Sequence, residues 1–206
     1  MEITHDKDIQ TIIDNSLKTA INYKDYKELV KNMVDNKLTT GNDKSEAMVN
    51  YTMLNDRRMK RWDKTVKVSE ESKKRLEGFD KQVTWLVITE SWCGDAAHVI
   101  PVLNKIAELN QNIDLKLVMR DDNYDLMNQF LTNGGRAIPK LIMLDNKTKD
   151  VLGTYGPRPS QATKLVNDFK KVHGKLTPEF KEDLQRWYNA NKGQTAIEDL
   201  LQLLGV

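Results

Sequence analysis

Between residues 83 and 172, short strand-like runs alternate with amphipathic helical ones, and that order leaves few architectures open. Val83–Thr89 is β-branched and aromatic, and Pro139–Leu144 is short and apolar. Continuous apolar character of this kind belongs to strands covered on both faces. Ile113–Met119, which begins with alternation, is a third strand, and Asp150–Tyr155 a fourth. The polar turn Asp145–Lys149 joins the last two runs, so they read as a hairpin. Val99, Leu103, Ile106 and Ala107 share one face of a helix ending near Asn110. Leu126, Met127 and Phe130 mark a shorter helix that stops near Asn133–Gly135, and Pro159-Ser160 opens another with Ala162, Leu165, Val166 and Phe169 inward. The order β-α-β-α-β-β-α predicts parallel pairing where strand and helix alternate and antiparallel pairing of the last two strands.

Helices flank this segment. Ile9, Ile12, Ile13, Leu17, Ala20 and Ile21 form an apolar stripe, continued by Tyr26, Leu29, Val30, Met33 and Val34 after a break near Asn22. Thr39–Asp43 is a turn, Ser45–Trp62 a second helix, Thr65–Val68 a short strand, and Ser69 the cap of a further helix. At the other end Thr177-Pro178 caps a helix, and Thr195 with Glu198 fits a capping box ahead of Leu200, Leu201, Leu203 and Leu204. These leucines are expected to pack on the domain, with a homodimer interface as the alternative. The chain divides into a helical region (1–78), an α/β domain (79–173) and a helical extension (174–206).

Composition narrows the function. Lys and Arg number 32 against 30 for Asp and Glu, too even a balance for nucleic acid or an anionic membrane to be the main partner. No apolar run approaches the roughly 20 residues of a membrane span. The polar start Met1–Asp8 is unlike a secretory signal, and a single cysteine, Cys93, excludes an internal disulfide. A cytoplasmic protein is expected. His5, His98 and His173 show no metal-ligand spacing. Arg120–Asp122 reads as a solvated loop, Arg57–Trp62 as a cationic helix end and Gly156–Pro159 as a turn.

The chemistry concentrates in Thr89–His98, where Cys93 lies between a buried strand and a helix. Free N–H groups at a helix start favour an anion, and the thiolate is cysteine's nucleophilic form. Asp95 opposes that effect, and a modestly lowered Cys93 pKa is the net expectation.

Trp92-Cys93-Gly94-Asp95-Ala96 resembles the thioredoxin motif Trp-Cys-Gly-Pro-Cys. Pro101, eight residues after the cysteine, matches the proline of the thioredoxin active-site helix. Ala137-Ile138-Pro139, with its proline 46 residues after Cys93, resembles the segment that carries the family's cis-proline. The element order matches thioredoxin from its second strand onward, over about Phe79–Val172. Bacterial thioredoxin-like proteins with a Trp-Cys-Gly-Asp motif and helical extensions are the group most similar. The resemblance implies a thioredoxin-like fold with a central mixed sheet flanked by helices. It implies a catalytic Cys93, with Trp92, Gly94, Asp95, Ala96, Ile138 and Pro139 meeting the substrate. In that picture Trp92 is an exposed wall and the Ile138 backbone faces an extended peptide.

Three departures bear on activity. Ala96 stands in place of the second cysteine, Asp95 in place of the intervening proline, and Val87 in place of the buried acid. The thiol that would release a mixed disulfide is therefore missing, and resolution must come from outside. The expected function is monothiol exchange with a protein disulfide or a low-molecular-weight thiol, without metal or organic cofactor. The alternative is a redox-inactive module that binds a peptide or protein partner.

Overall fold

Strand β1 (Val83–Thr89) is buried along its whole length, and the rest of the molecule is arranged around it. The computed structural model describes the backbone of residues 3–206 and the side chains from residue 9 onward; the side chain of His5 lies outside the described residues. Beside β1 run β2 (Ile113–Met119) on one flank and β3 (Lys140–Asp145) on the other, with β4 (Val151–Tyr155) outermost, in the order β2-β1-β3-β4. Trp85, Leu86, Val87 and Ile88 have no solvent exposure. Because neighbours in a strand point to opposite faces, both faces of the sheet must be covered.

The sheet is mixed. β1 and β2 are parallel, but β3 runs antiparallel to β1 and to β4. The parallel pairing expected for the third strand is corrected by the length of the connection. Returning the chain to the far end of a seven-residue strand, about 23 Å at 3.3 Å per residue, needs a helix of roughly 15 residues at 1.5 Å each. The helix between β2 and β3, Tyr124–Gln129, has six residues. The chain therefore re-enters the sheet at the end where β1 finishes, and Lys140 pairs with Ile88. Pro139 is thereby set beside the loop that follows β1.

In chain order the helices are α1 (Ile3–Thr19), α2 (Tyr23–Asp35), α3 (Glu46–Thr65), α4 (Glu70–Glu77), α5 (Gly94–Leu109), α6 (Tyr124–Gln129), α7 (Ser160–His173), α8 (Pro178–Asn191) and α9 (Gln194–Leu204). Asn22 caps α2 at the break anticipated there, accepting from the Asp25 N–H, and Ser69 caps α4. Ile21 bridges to Leu117 along the open edge of β2. α3 lies along α5, and α9 reaches α4, α5, α7 and β4. Leu200 and Leu201 are fully buried in that setting, so the C-terminal apolar stripe is used within the chain.

Two local expectations are corrected. Thr65–Val68 forms no strand: α3 runs to Thr65, and Val66 and Val68 are buried in the short link to α4. Thr195 does not open α9. The helix begins one residue earlier after Gly193, the Thr195 N–H is taken by the Asn191 side chain, and Glu198 pairs with Arg75. An acceptor from the preceding helix has replaced the box.

Candidate functional site

Cys93 is the N-cap of α5, with the N–H groups of Asp95 and Ala96 turned toward its sulfur. The thiol donates to the Ile138 carbonyl at 3.3 Å, across the cis Ile138–Pro139 peptide. Only 8% of the residue is exposed. Burial pushes the thiol up to about 12, with the nearby Asp95 charge adding to the rise. The two helix N–H groups and Arg158 pull the other way and lose. The expected lowering is thus overturned, because weighing helix start against carboxylate left out desolvation, the largest effect.

Asp95 faces inward from the first turn of α5. Its carboxylate meets Arg158 at 2.7 Å and accepts from the Tyr188 hydroxyl at 2.9 Å. Burial raises its pKa against the pull of those partners. His98, one turn on, stacks on Tyr188 with centroids 4.3 Å apart, and its Nε2 lies 2.9 Å from the Gln185 amide oxygen. Burial holds its pKa down at about 3, so it is neutral at ordinary pH and carries no charge to the thiol. Cys93, Gly94 and Asp95 form one wall of a cleft of about 650 Å3 between α3 and α8. Arg58 of α3 reaches over Gly94, its Nη1 3.4 Å from where a Cβ on that glycine would stand.

The N-terminal region holds the motif in place. The Ser91 hydroxyl accepts from the Thr40 N–H at 3.1 Å and from the Thr40 hydroxyl at 3.0 Å, and lies 2.9 Å from the Thr52 hydroxyl. The Ser91 N–H donates back to Thr40, and Asn55 donates to the Ser91 carbonyl. Glu90, fully buried, accepts from the Asp121 N–H, and Asp121 in turn accepts from the Asn42 N–H. Arg120–Asp122 thus anchors the 39–43 turn. Replacing Ser91 with alanine strips several buried donors of their acceptor at once. The expected cost is about 2 kcal/mol, within the 1–3 of an unsatisfied buried group, read from the urea midpoint. A loss under about 0.5 kcal/mol would show that these hydroxyls do not hold the loop.

The residues singled out by the motif fall into two groups. Trp92, Cys93, Gly94 and Asp95 line the cleft. Ala96, Ile138 and Pro139 are buried beneath it and do not line it. Trp92 is half-buried rather than an open wall: Arg120 stacks over its ring at 4.9 Å, and its indole nitrogen is enclosed without a partner. Sequence reasoning missed Arg158, Arg58 and Tyr188 as neighbours of the motif. The one signal for Arg158 was its place between two prolines, where a flexible turn has no need of them. Nothing local distinguished Arg58 from the other cations of α3.

Among the described residues no group of His, Cys, Asp and Glu is placed to hold a metal, and no helix is long and apolar enough to cross a membrane. No curated protein matches the chain. Two crystal structures share its fold. One, a protein of unknown function from Pseudomonas aeruginosa, has a TM-score of 0.58 at 22% identity, covering 74% of this chain and 84% of that one. The other, an HIV epitope-scaffold, has a TM-score of 0.57 at 19% identity, covering 90% of this chain and 98% of that one. The sequence model of the thioredoxin family matches residues 41–170, a span that takes in α3, the whole sheet and most of α7. With more than half of its length matched, this chain belongs to the thioredoxin family.

Proposed function

We propose that the protein carries out monothiol–disulfide exchange through Cys93. The observation behind this reading is a lone thiol at the start of a helix, beside a cis-proline segment, in the wall of a ligand-sized cleft. In the first step the Cys93 thiolate attacks one sulfur of a disulfide R–S–S–R. A Cys93–S–S–R bond forms, the original S–S bond breaks, and R–S⁻ leaves and takes a proton from water. A second thiol from outside then attacks the mixed disulfide and returns Cys93, since Ala96 offers no internal sulfur.

A second reading is favoured by one feature, the burial that pushes the thiol up to about 12. In it the fold is a redox-inactive module that binds a partner in the same cleft. The two separate on incubation with hydroxyethyl disulfide between roughly pH 7 and 10, following the mass adduct with Cys93→Ser as control. Far below its pKa, a thiol's ionised fraction grows about tenfold per pH unit. Exchange should therefore be slow near neutrality and climb with that slope, without a plateau. No adduct at any pH on the folded protein would leave the binding module standing and the exchange reading refuted.

A further inference from the structure

The cleft carries more positive charge than its own acids neutralise. Four cations line it: Arg58, Arg158, Lys181 and Arg186. Arg158 is taken by Asp95 at 2.7 Å. Arg186 is taken by Asp183 at 2.9 Å, with Glu182 at 3.7 Å. Arg58 and Lys181 form no ion pair among the described residues. Arg58 donates to the Asn55 side-chain oxygen at 3.1 Å, and Asn55 also holds the Ser91 carbonyl. A half-buried guanidinium without a carboxylate in contact is costly to hold: desolvation and the neighbouring Arg61 disfavour its charge, and the Asp95 carboxylate, which favours it, is already paired with Arg158. Its remaining donors have the fork geometry that suits a carboxylate. Lys181 stands across the cleft on α8, exposed at the mouth. Apolar surface from Met48, Tyr51, Trp92, Leu176 and Leu184 completes the lining. At about 650 Å3 the space lies within the roughly 300–1,000 Å3 of small-ligand sites.

We propose that this cleft takes a small carboxylate-bearing disulfide of the glutathione class, its carboxylates held by Arg58 and Lys181 and its sulfur set against Cys93. The assignment rests on the exchange reading for the reacting sulfur, and for the anion only on the two cations that have no ion-pair partner among the described residues. Exchange proceeds as above: one half of the disulfide is retained on Cys93, and the other leaves as its thiolate.

Three disulfides of different charge test it at low ionic strength: oxidised glutathione, hydroxyethyl disulfide and cystamine. Each rate is divided by its rate on the urea-unfolded chain, which removes intrinsic reactivity. The folded protein should favour the anionic reagent over the cationic one by about tenfold or more, as expected for charge complementarity in a cleft. Arg58→Gln and, independently, the exposed Lys181→Gln should each shrink that ratio several-fold. S-methylglutathione, which cannot exchange, should slow alkylation of Cys93 by iodoacetamide in the parent protein and not in the Arg58→Gln and Lys181→Gln double variant. Exchange without charge ranking and without protection would overturn the anion site while leaving monothiol exchange intact. Protection without any adduct would uphold the anion site and refute exchange. The absence of both would refute the two together.

Discussion

Asp95→Asn should make Cys93 about ten times more reactive at neutral pH and weaken the fold by about 2–3 kcal/mol. The Asp95 charge raises the Cys93 pKa, and Arg158 lowers it. Burial raises the pKa of Asp95 itself, yet Arg158 at 2.7 Å and the Tyr188 hydroxyl favour the ionised carboxylate. Asparagine keeps the shape and one acceptor but removes the charge, leaving the Arg158 cation to act on the thiol alone. A neighbouring charge moves a pKa by about 1–3 units. Each unit gives ten times more thiolate, but lower basicity takes back part of the gain, leaving about threefold per unit. Two units thus give roughly tenfold. The stability loss follows from stranding one partner of a mostly buried pair, about 3–5 kcal/mol in full. Arg158 keeps 24% of its side chain exposed, and water offsets part of the loss. The companion variant decides the cause. Arg158→Gln removes the attracting charge and should slow alkylation while also destabilising. If both variants speed it up, the fold has loosened around a buried thiol, and the electrostatic account is wrong.

What could be read from the sequence follows how local each feature is. The motif was legible because Trp92, Cys93, Gly94 and Asp95 are consecutive and sit at a strand-to-helix junction that hydrophobic pattern marks by itself. Pro139 was legible through family spacing, and its closeness to Cys93 follows from the register that pairs Lys140 with Ile88. The partners of the motif come from far along the chain. Thr40, Thr52 and Asn55 reach Ser91 from the N-terminal region, Arg158 comes from the turn after β4, and Tyr188 from α8. No periodicity reports which face of α3 meets α5, so Arg58 looked like any cation of a basic helix end. The error over the thiol has the same root. Helix start and neighbouring carboxylate are sequence-local, whereas the desolvation that outweighs them is set by the elements packed over Cys93.

The turn that delivers Arg158 should be the least tolerant of change near the site, and Gly156→Ala should cost about 3–5 kcal/mol. Gly156 has φ of +106°, beyond the small left-handed region near +60° that other residues visit. A Cβ there would stand 2.2 Å from the Pro139 carbonyl oxygen and 3.3 Å from its carbon. Both obstacles are backbone, so no side chain can swing aside. Relief requires the β3–β4 pair to part at the end where Leu141 faces Tyr155. That end adjoins the Ile138 carbonyl on which the Cys93 thiol rests, and Arg158 follows two residues after the glycine. The displacement should therefore unmask the thiol as well as lower the urea midpoint, and faster Cys93 alkylation should accompany the loss. Gly134→Ala separates backbone preference from contact. Its φ of +74° is also left-handed, but nothing lies within 4 Å of its Cβ position. There only conformational strain remains, about 1 kcal/mol. Equal losses for the two variants would mean that the approach to Pro139 is not what makes Gly156 necessary. A larger loss at Gly156 with unchanged alkylation would mean that the turn supports the sheet without governing access to the thiol.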